Sequence, residues 1–143
     1  MNLDIGIMVS KLGSGMLTSF WIFCFTLLLS IPLGLVIAFG RMSHNAVLRT
    51  ITKAYISIMR GTPLMLQLML VYFGPFYIFH VSISPGYRYT AVCIGFVLNY
   101  AAYFAEIYRS GIESMPVGQY EAAKVLGYSK AQTFFYIILP QVV

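Results

Sequence analysis

Residues 12 to 40 read LGSGMLTSFWIFCFTLLLSIPLGLVIAFG and carry no charged side chain. About 20 mainly apolar residues in a helix span the hydrocarbon core of a bilayer. The stretch is long enough for a complete transmembrane helix, expected near residues 16–39. Pro32 is a candidate kink. Ser30, Gly34 and Ala38 lie four apart on one helical face, a spacing of small residues that permits close helix packing. Small residues are common in membrane helices, so this spacing alone designates no particular contact.

The whole chain agrees with that stretch. Of its 143 residues, 59% are hydrophobic and 9% are charged, whereas a soluble domain carries about 25% charged residues. The fold class is therefore all-α, a polytopic membrane protein. The net charge of +5 is not concentrated anywhere, which argues against a nucleic-acid partner. Cys24 and Cys93 both fall in apolar runs and read as small buried hydrophobes, not as a disulfide, a metal pair or a nucleophile. No secretory signal pattern is present: Asp4 precedes the first cation, and the apolar run exceeds a signal h-region. The first helix is expected to stay in the mature chain.

Outward from the first span, Arg41, Arg49, Lys53 and Arg60 punctuate a segment in which Val47, Ile51, Ala54 or Tyr55, and Ile58 recur at helical spacing. This predicts an interfacial helix, or an extension leading into the next span. His44 lies in the polar loop there and reads as solvated, since no second ligand suggests a metal. Residues 61 to 87 again lack formal charge. They predict a second span over about 62–80, with Pro63 near its first turn and Gly74–Pro75 bending or shortening it. Ser84–Pro85–Gly86, within Ser82 to Gly86, is a turn signal. A third span fits about 88–108 and is the most polar, holding Asn99, Tyr100, Tyr103 and Glu106. A fourth apolar segment starts near Ala131. The expectation is three complete transmembrane helices plus the start of a fourth.

Charge sets the orientation. With the loop of about 109–130 on the cytoplasmic side, Arg41, Arg49, Lys53, Arg60, Arg109, Lys124 and Lys130 lie inside, and Lys11 and Arg88 outside. Cations accumulate on the cytoplasmic side of membrane proteins. The expected topology has the N-terminus outside and this loop inside.

The loop leads into GQYEAAKVLGYSKAQTFFYIILP, residues 118 to 140. It predicts two short helices. Pro116 suits the first turn of one, where its missing N–H costs nothing, and Tyr120, Ala123, Lys124 and Leu126 lie along it. Gly127 suits the left-handed residue that closes a helix. Ser129 followed by Gln132 has capping-box spacing for the next, whose apolar run reaches Leu139 before Pro140 interrupts it. Physically this is a helical hairpin on the membrane surface. Its small residues would let it enter a partner's groove, though an amphipathic connector explains the composition as simply.

Glu121–Ala122–Ala123, Gly127, Ile137 and Leu139–Pro140, at this spacing, resemble the EAA signature of permease subunits of ATP-binding cassette importers. Tyr100–Ala101–Ala102–Tyr103 through Glu106, Arg109, Gly111 and Gly118–Gln119 resembles the polar amino acid branch of that family. So does Arg60–Gly61–Thr62–Pro63–Leu64 with Gln67. The resemblance covers nearly all of the chain from Thr18 onward. It implies one partial importer transmembrane domain over residues 1–143, in a bacterial plasma (inner) membrane. It implies three kinds of protein partner: an ATP-binding cassette ATPase subunit, an extracytoplasmic amino acid binding protein, and a second permease copy or paralogue. Members of the family continue past the Leu–Pro through a fourth and a fifth span, so the resemblance also implies a C-terminally truncated chain. Docking to the ATPase is implied for Gly118, Gln119, Glu121, Ala122, Ala123, Gly127, Ile137, Leu139 and Pro140. Alternatively, Glu121 merely favours the helix dipole.

No P-loop, nucleophile–base pair or paired carboxylate site occurs, which argues against an enzyme acting alone; no cofactor is expected. Glu106 and Arg109, three apart, can form a structural ion pair or contact substrate. Gln67 and Asn99 are candidate pathway residues; interhelical hydrogen bonding is the equal alternative. Arg60 to Pro63 marks a helix entry that could brace the second span, and a snorkelling arginine before a proline-started helix explains it almost as well. The aromatic content of 16% fits lipid-facing and interfacial positions. A small helical membrane subunit for interaction or assembly, without transport activity, is the alternative reading. A membrane-embedded enzyme ranks last, for want of clustered His, Asp or Glu.

Overall fold

The computed structural model describes residues 5–80, 84 and 86–142. Its helices are α1 (Ile5–Met42), α2 (Ala46–Gly61), α3 (Leu64–Phe79), α4 (Tyr87–Glu113), α5 (Val117–Val125), α6 (Lys130–Gln132) and α7 (Leu139–Val142), with a π-helical turn, Thr133–Ile138, between the last two. The turn expected over Ser82–Gly86 falls largely outside the described residues, as does Val143; within it, the Tyr87 N–H donates to the Ser84 carbonyl at 3.0 Å.

α4 is the central element. Its buried face includes Ala91, Gly95, Asn99, Ala101, Ala102, Ala105, Tyr108 and Ile112, small residues wherever a neighbouring backbone approaches. α1 lies along it through the face of Thr26, Ser30, Gly34 and Ala38, which includes the small-residue stripe expected from the sequence, while Gly40 meets Thr52 and Leu48 of α2. The approach is tight: a Cβ added to Gly34 would come 2.6 Å from Phe104 Cβ and 3.1 Å from the Ala101 carbonyl oxygen. Much of the rest of α1 is bare, with Phe20, Trp21 and Leu28 exposed, as a surface that faces hydrocarbon can be.

With 38 residues, α1 is about 57 Å long at 1.5 Å per residue, far more than the roughly 30 Å core requires. The helix passes through Pro32 without ending. α4, with 27 residues, is about 40 Å long. Among the described residues these two are long and apolar enough to cross a membrane alone. The second span expected over 62–80 differs. α3 holds 16 residues, about 24 Å, and runs through Gly74–Pro75 to Phe79. A third crossing exists only if α2 and α3 count as one span, bent by 109°.

Proline chemistry accounts for the bend. The ring of Pro63 disfavours helical backbone at the residue before it, and Thr62 is extended, at φ −114° and ψ 146°. α2 therefore stops at Gly61. Asn45 caps its start, the side-chain oxygen accepting from the Val47 N–H at 3.0 Å. The expected helix is present, but a different face packs inward: Ile56 is buried with Tyr55 and Met59 against it, while Val47, Ile51 and Ile58 are exposed. Helical spacing alone could not choose between two apolar faces.

The C-terminal hairpin closes as local chemistry requires. Gly127 is left-handed, at φ +78°; a glycine bears that conformation without a Cβ penalty. The Tyr128 N–H donates to the Ala123 carbonyl and the Gly127 N–H to that of Lys124, at 3.0 and 3.1 Å, the paired bonds of a Schellman closure. The Ser129–Gln132 capping box is formed in both directions. Pro140 does not interrupt the following segment; the helical path passes through it to Val142. The Leu139 N–H reaches back five residues to the Phe134 carbonyl, and the Gln141 side-chain amide donates to the Ile137 carbonyl at 2.6 Å. α7 ends against α4, where a Cβ on Gly111 would lie 2.5 Å from Val142 Cγ1.

Candidate functional site

Two candidate sites rest on α4, one beside the bend and one at its C-terminal end. The bend leaves backbone carbonyls of the last turn of α2 without helical partners. Gln67 Nε2 donates to the Met59 carbonyl at 2.9 Å, the Thr62 carbonyl at 3.1 Å and Thr62 Oγ1 at 2.7 Å. Asn99 Nδ2, from α4, donates to the same Met59 carbonyl at 3.1 Å and to Gln67 Oε1 at 2.9 Å. Tyr55 adds a bond from its hydroxyl to the Leu98 carbonyl at 2.5 Å. The amides of Gln67 and Asn99, far apart in sequence, therefore meet over the broken turn. Asn99 is 5% exposed; it also lines a groove of about 450 Å³ with Thr62, Tyr100 and Tyr103.

About two to three turns further along α4, Arg109 Nε donates to Glu106 at 2.9 Å, and a second guanidinium nitrogen pairs with the same carboxylate. A third pairs with Glu113. Glu113 was not singled out in the sequence, although its i+4 spacing from Arg109 is the available signal. Arg60 stands 5.4 Å from the centroid of the Tyr103 ring, the cation–π geometry, and lines a shallow groove with Tyr103 and Glu106.

Beyond α4, the chain turns through Ser114 and Met115 into α5. The nine residues of α5 divide by face. Ala123 points inward and is 0% exposed; its small side chain serves packing within this chain. Val117, Glu121 and Val125, four apart, point outward, with Gly118, Gln119 and Ala122 beside them and exposed. Of the later residues of the signature, Gly127 and Pro140 are exposed, while Ile137 and Leu139 are partly buried. Ile138, between those two and not singled out, is 0% exposed and joins the core with Ala102, Ala105 and Ile112. The signature thus combines an outward surface on α5 with an inward anchor at the π turn. Among the described residues Glu121 is in neither of the two ion pairs, so its carboxylate is available for an external cation.

The bent span, the small-residue seam and the exposed loop after the long central helix define a helical membrane protein that presents a short helical loop. The family described as "Binding-protein-dependent transport system inner membrane component" matches residues 30–143, and the chain belongs to it. The chain is 51% identical over 109 residues to the probable amino-acid ABC transporter permease protein YckA of Bacillus subtilis, covering 76% of this chain and 46% of that protein. It is 39% identical to a putative glutamine transport system permease protein GlnP of Rickettsia typhi, covering 81% and 52%. It is 40% identical to the L-cystine transport system permease protein TcyB of Bacillus subtilis, covering 76% and 45%. The chain spans about half the length of these curated relatives. A crystal structure of an amino acid ABC transporter with histidines superposes with a TM-score of 0.76 at 35% identity, covering 99% of this chain and 66% of that one.

Proposed function

We propose that residues 1–143 form part of the transmembrane domain of a bacterial amino acid importer, acting as its permease subunit. The relatives are amino acid permeases, which supports amino acid as the cargo class. In this reading the N-terminus lies outside and the loop of about 109–130 in the cytoplasm. An extracytoplasmic binding protein delivers the substrate, and a second permease copy or paralogue completes the pathway. Gln67 and Asn99 brace the bend and present polar atoms beside the groove at Thr62 and Tyr103, as candidate pathway residues. Glu106 and Arg109 hold the end of α4 as a structural pair.

A separate ATPase subunit would dock on α5. The observation that carries this is the outward face of α5: Gly118 and Ala122 permit close approach, and the carboxylate of Glu121 lies beside them without an ion-pair partner among the described residues. Ala123, Ile137 and Leu139 would set the seat from within, Gly127 its closure, and exposed Pro140 would lie at its edge. ATP-driven closure of the ATPase pair would move α5 and, through the π turn and Gly111, the end of α4.

Co-purification with the ATPase subunit tests the reading, comparing the unaltered chain with Glu121→Lys and Gly127→Asp at equal membrane insertion. Both substitutions are expected to reduce capture at least tenfold. Unchanged capture by both would remove the docking role and favour a membrane subunit for interaction or assembly without transport.

A further inference from the structure

We propose that a second face of α5 forms a binding site for the headgroup of an anionic phospholipid. A groove of about 540 Å³ lies between the last turn of α1, the end of α4, α5 and the π turn. Its apolar wall includes Phe39 and Phe134, whose ring centroids are 5.1 Å apart. Its rim carries Lys124, Lys130, Tyr120 and Tyr128. No carboxylate lines it. Both ion pairs among the described residues belong to Arg109, so the two lysines are uncompensated.

Three features select the occupant. The groove sits where the uncharged run of 12 to 40 gives way to Arg41, the level at which a helix leaves hydrocarbon for headgroups. An apolar wall below a cationic rim fits a ligand that joins acyl chains to a phosphate, and basic pockets between membrane helices hold acidic headgroups. A zwitterionic headgroup would bring an ammonium to a rim that offers it no carboxylate. Tyr120 and Lys124, four apart, present this face, whereas Glu121 and Val125 present the outward one. The lipid site therefore rests on membrane insertion alone and not on ATPase docking.

The test uses the purified protein in detergent, with phosphatidylglycerol or phosphatidylcholine of identical acyl chains and retained lipid counted by native mass spectrometry. Phosphatidylglycerol is expected to be retained preferentially. Lys124→Gln with Lys130→Gln should weaken it about 25-fold, on the basis of about fivefold for each lysine. Arg49→Gln with Lys53→Gln, an equal loss of charge on α2, should leave it unchanged, and Lys124→Arg with Lys130→Arg should preserve it. Equal retention of the two lipids, or equal losses in both charge-removed variants, would overturn the proposal. Displacement by glycerol phosphate as effective as by the lipid would reassign the groove to a soluble phosphate and overturn it too. Loss of ATPase capture with lipid retention intact in the Lys124/Lys130 variant would make the groove part of the docking surface instead. Glu121→Lys should leave lipid retention unaltered, which keeps the two readings separable.

Discussion

α4 supports two neighbours by opposite means. Against α1 it offers absence: Ala101, Ala102 and Ala105 meet Ser30, Gly34 and Ala38, and backbones approach until a single Cβ would collide. Against the α2–α3 bend it offers a donor, Asn99, which reaches a carbonyl that the bend has freed. Inside a bilayer, lipid tails are as apolar as leucine, so helix association depends on close packing and on interhelical hydrogen bonds. The seam uses the first and the bend the second. A regular helix satisfies its own backbone and needs only a fitting surface, whereas a broken one needs polar partners from elsewhere.

The contrast can be broken first at the seam. Gly34→Leu adds atoms where the first carbon already meets Phe104 Cβ at 2.6 Å. Overpacking of this kind costs about 3 kcal/mol, so thermal unfolding in detergent should show the largest loss of this series. A loss of less than about 1 kcal/mol would mean that the seam is loose. Asn99→Leu comes next. It keeps the branched shape and the number of heavy atoms but leaves Gln67 Oε1 without its donor and removes one of two donors from the Met59 carbonyl, at a cost of about 2 kcal/mol. A double-mutant cycle with Gln67→Leu should give a coupling energy above about 0.5 kcal/mol, because the two amides share partners. Additive effects would show that the amides act independently. Arg109→Gln should have the smallest effect. Its partners lie about one turn away on either side along the same helix and are partly solvated, and such pairs contribute about 0.5 kcal/mol or less. A larger loss would raise Glu106 and Arg109 to the standing of the bend network.

Much of this was legible in the sequence because it is local. The charge-free run of 12 to 40 requires a membrane helix whatever surrounds it, and Ser129 with Gln132, or Gly127 in its left-handed turn, acts within a few residues. The small-residue stripe was also readable as a stripe, but not its partner. Other features resisted reading for identifiable reasons. Pro63 announced a helix start and a break before it, but not the 109° angle between the two helices. α2 has apolar residues on two sides, so periodicity alone did not show that Ile56 would go in and Ile51 out. Ala123 carries its docking expectation through the resemblance to the EAA signature and through its small size, and small residues serve internal and external contacts equally well, so its buried position was not readable.

By itself, then, the sequence determined that this chain is helical, that it carries apolar runs of membrane-spanning length, and where its last hairpin turns. Those properties follow from hydrophobicity and from hydrogen bonds between near neighbours. Only the tertiary structure decided that Gln67 and Asn99 meet over Met59, that Ala123 faces the core while Glu121 faces out, and that Lys124 and Lys130 share a groove with Phe39. Each of these depends on contacts between separate helices, set by how closely the backbones of α1, α2, α3 and α5 approach one another and α4.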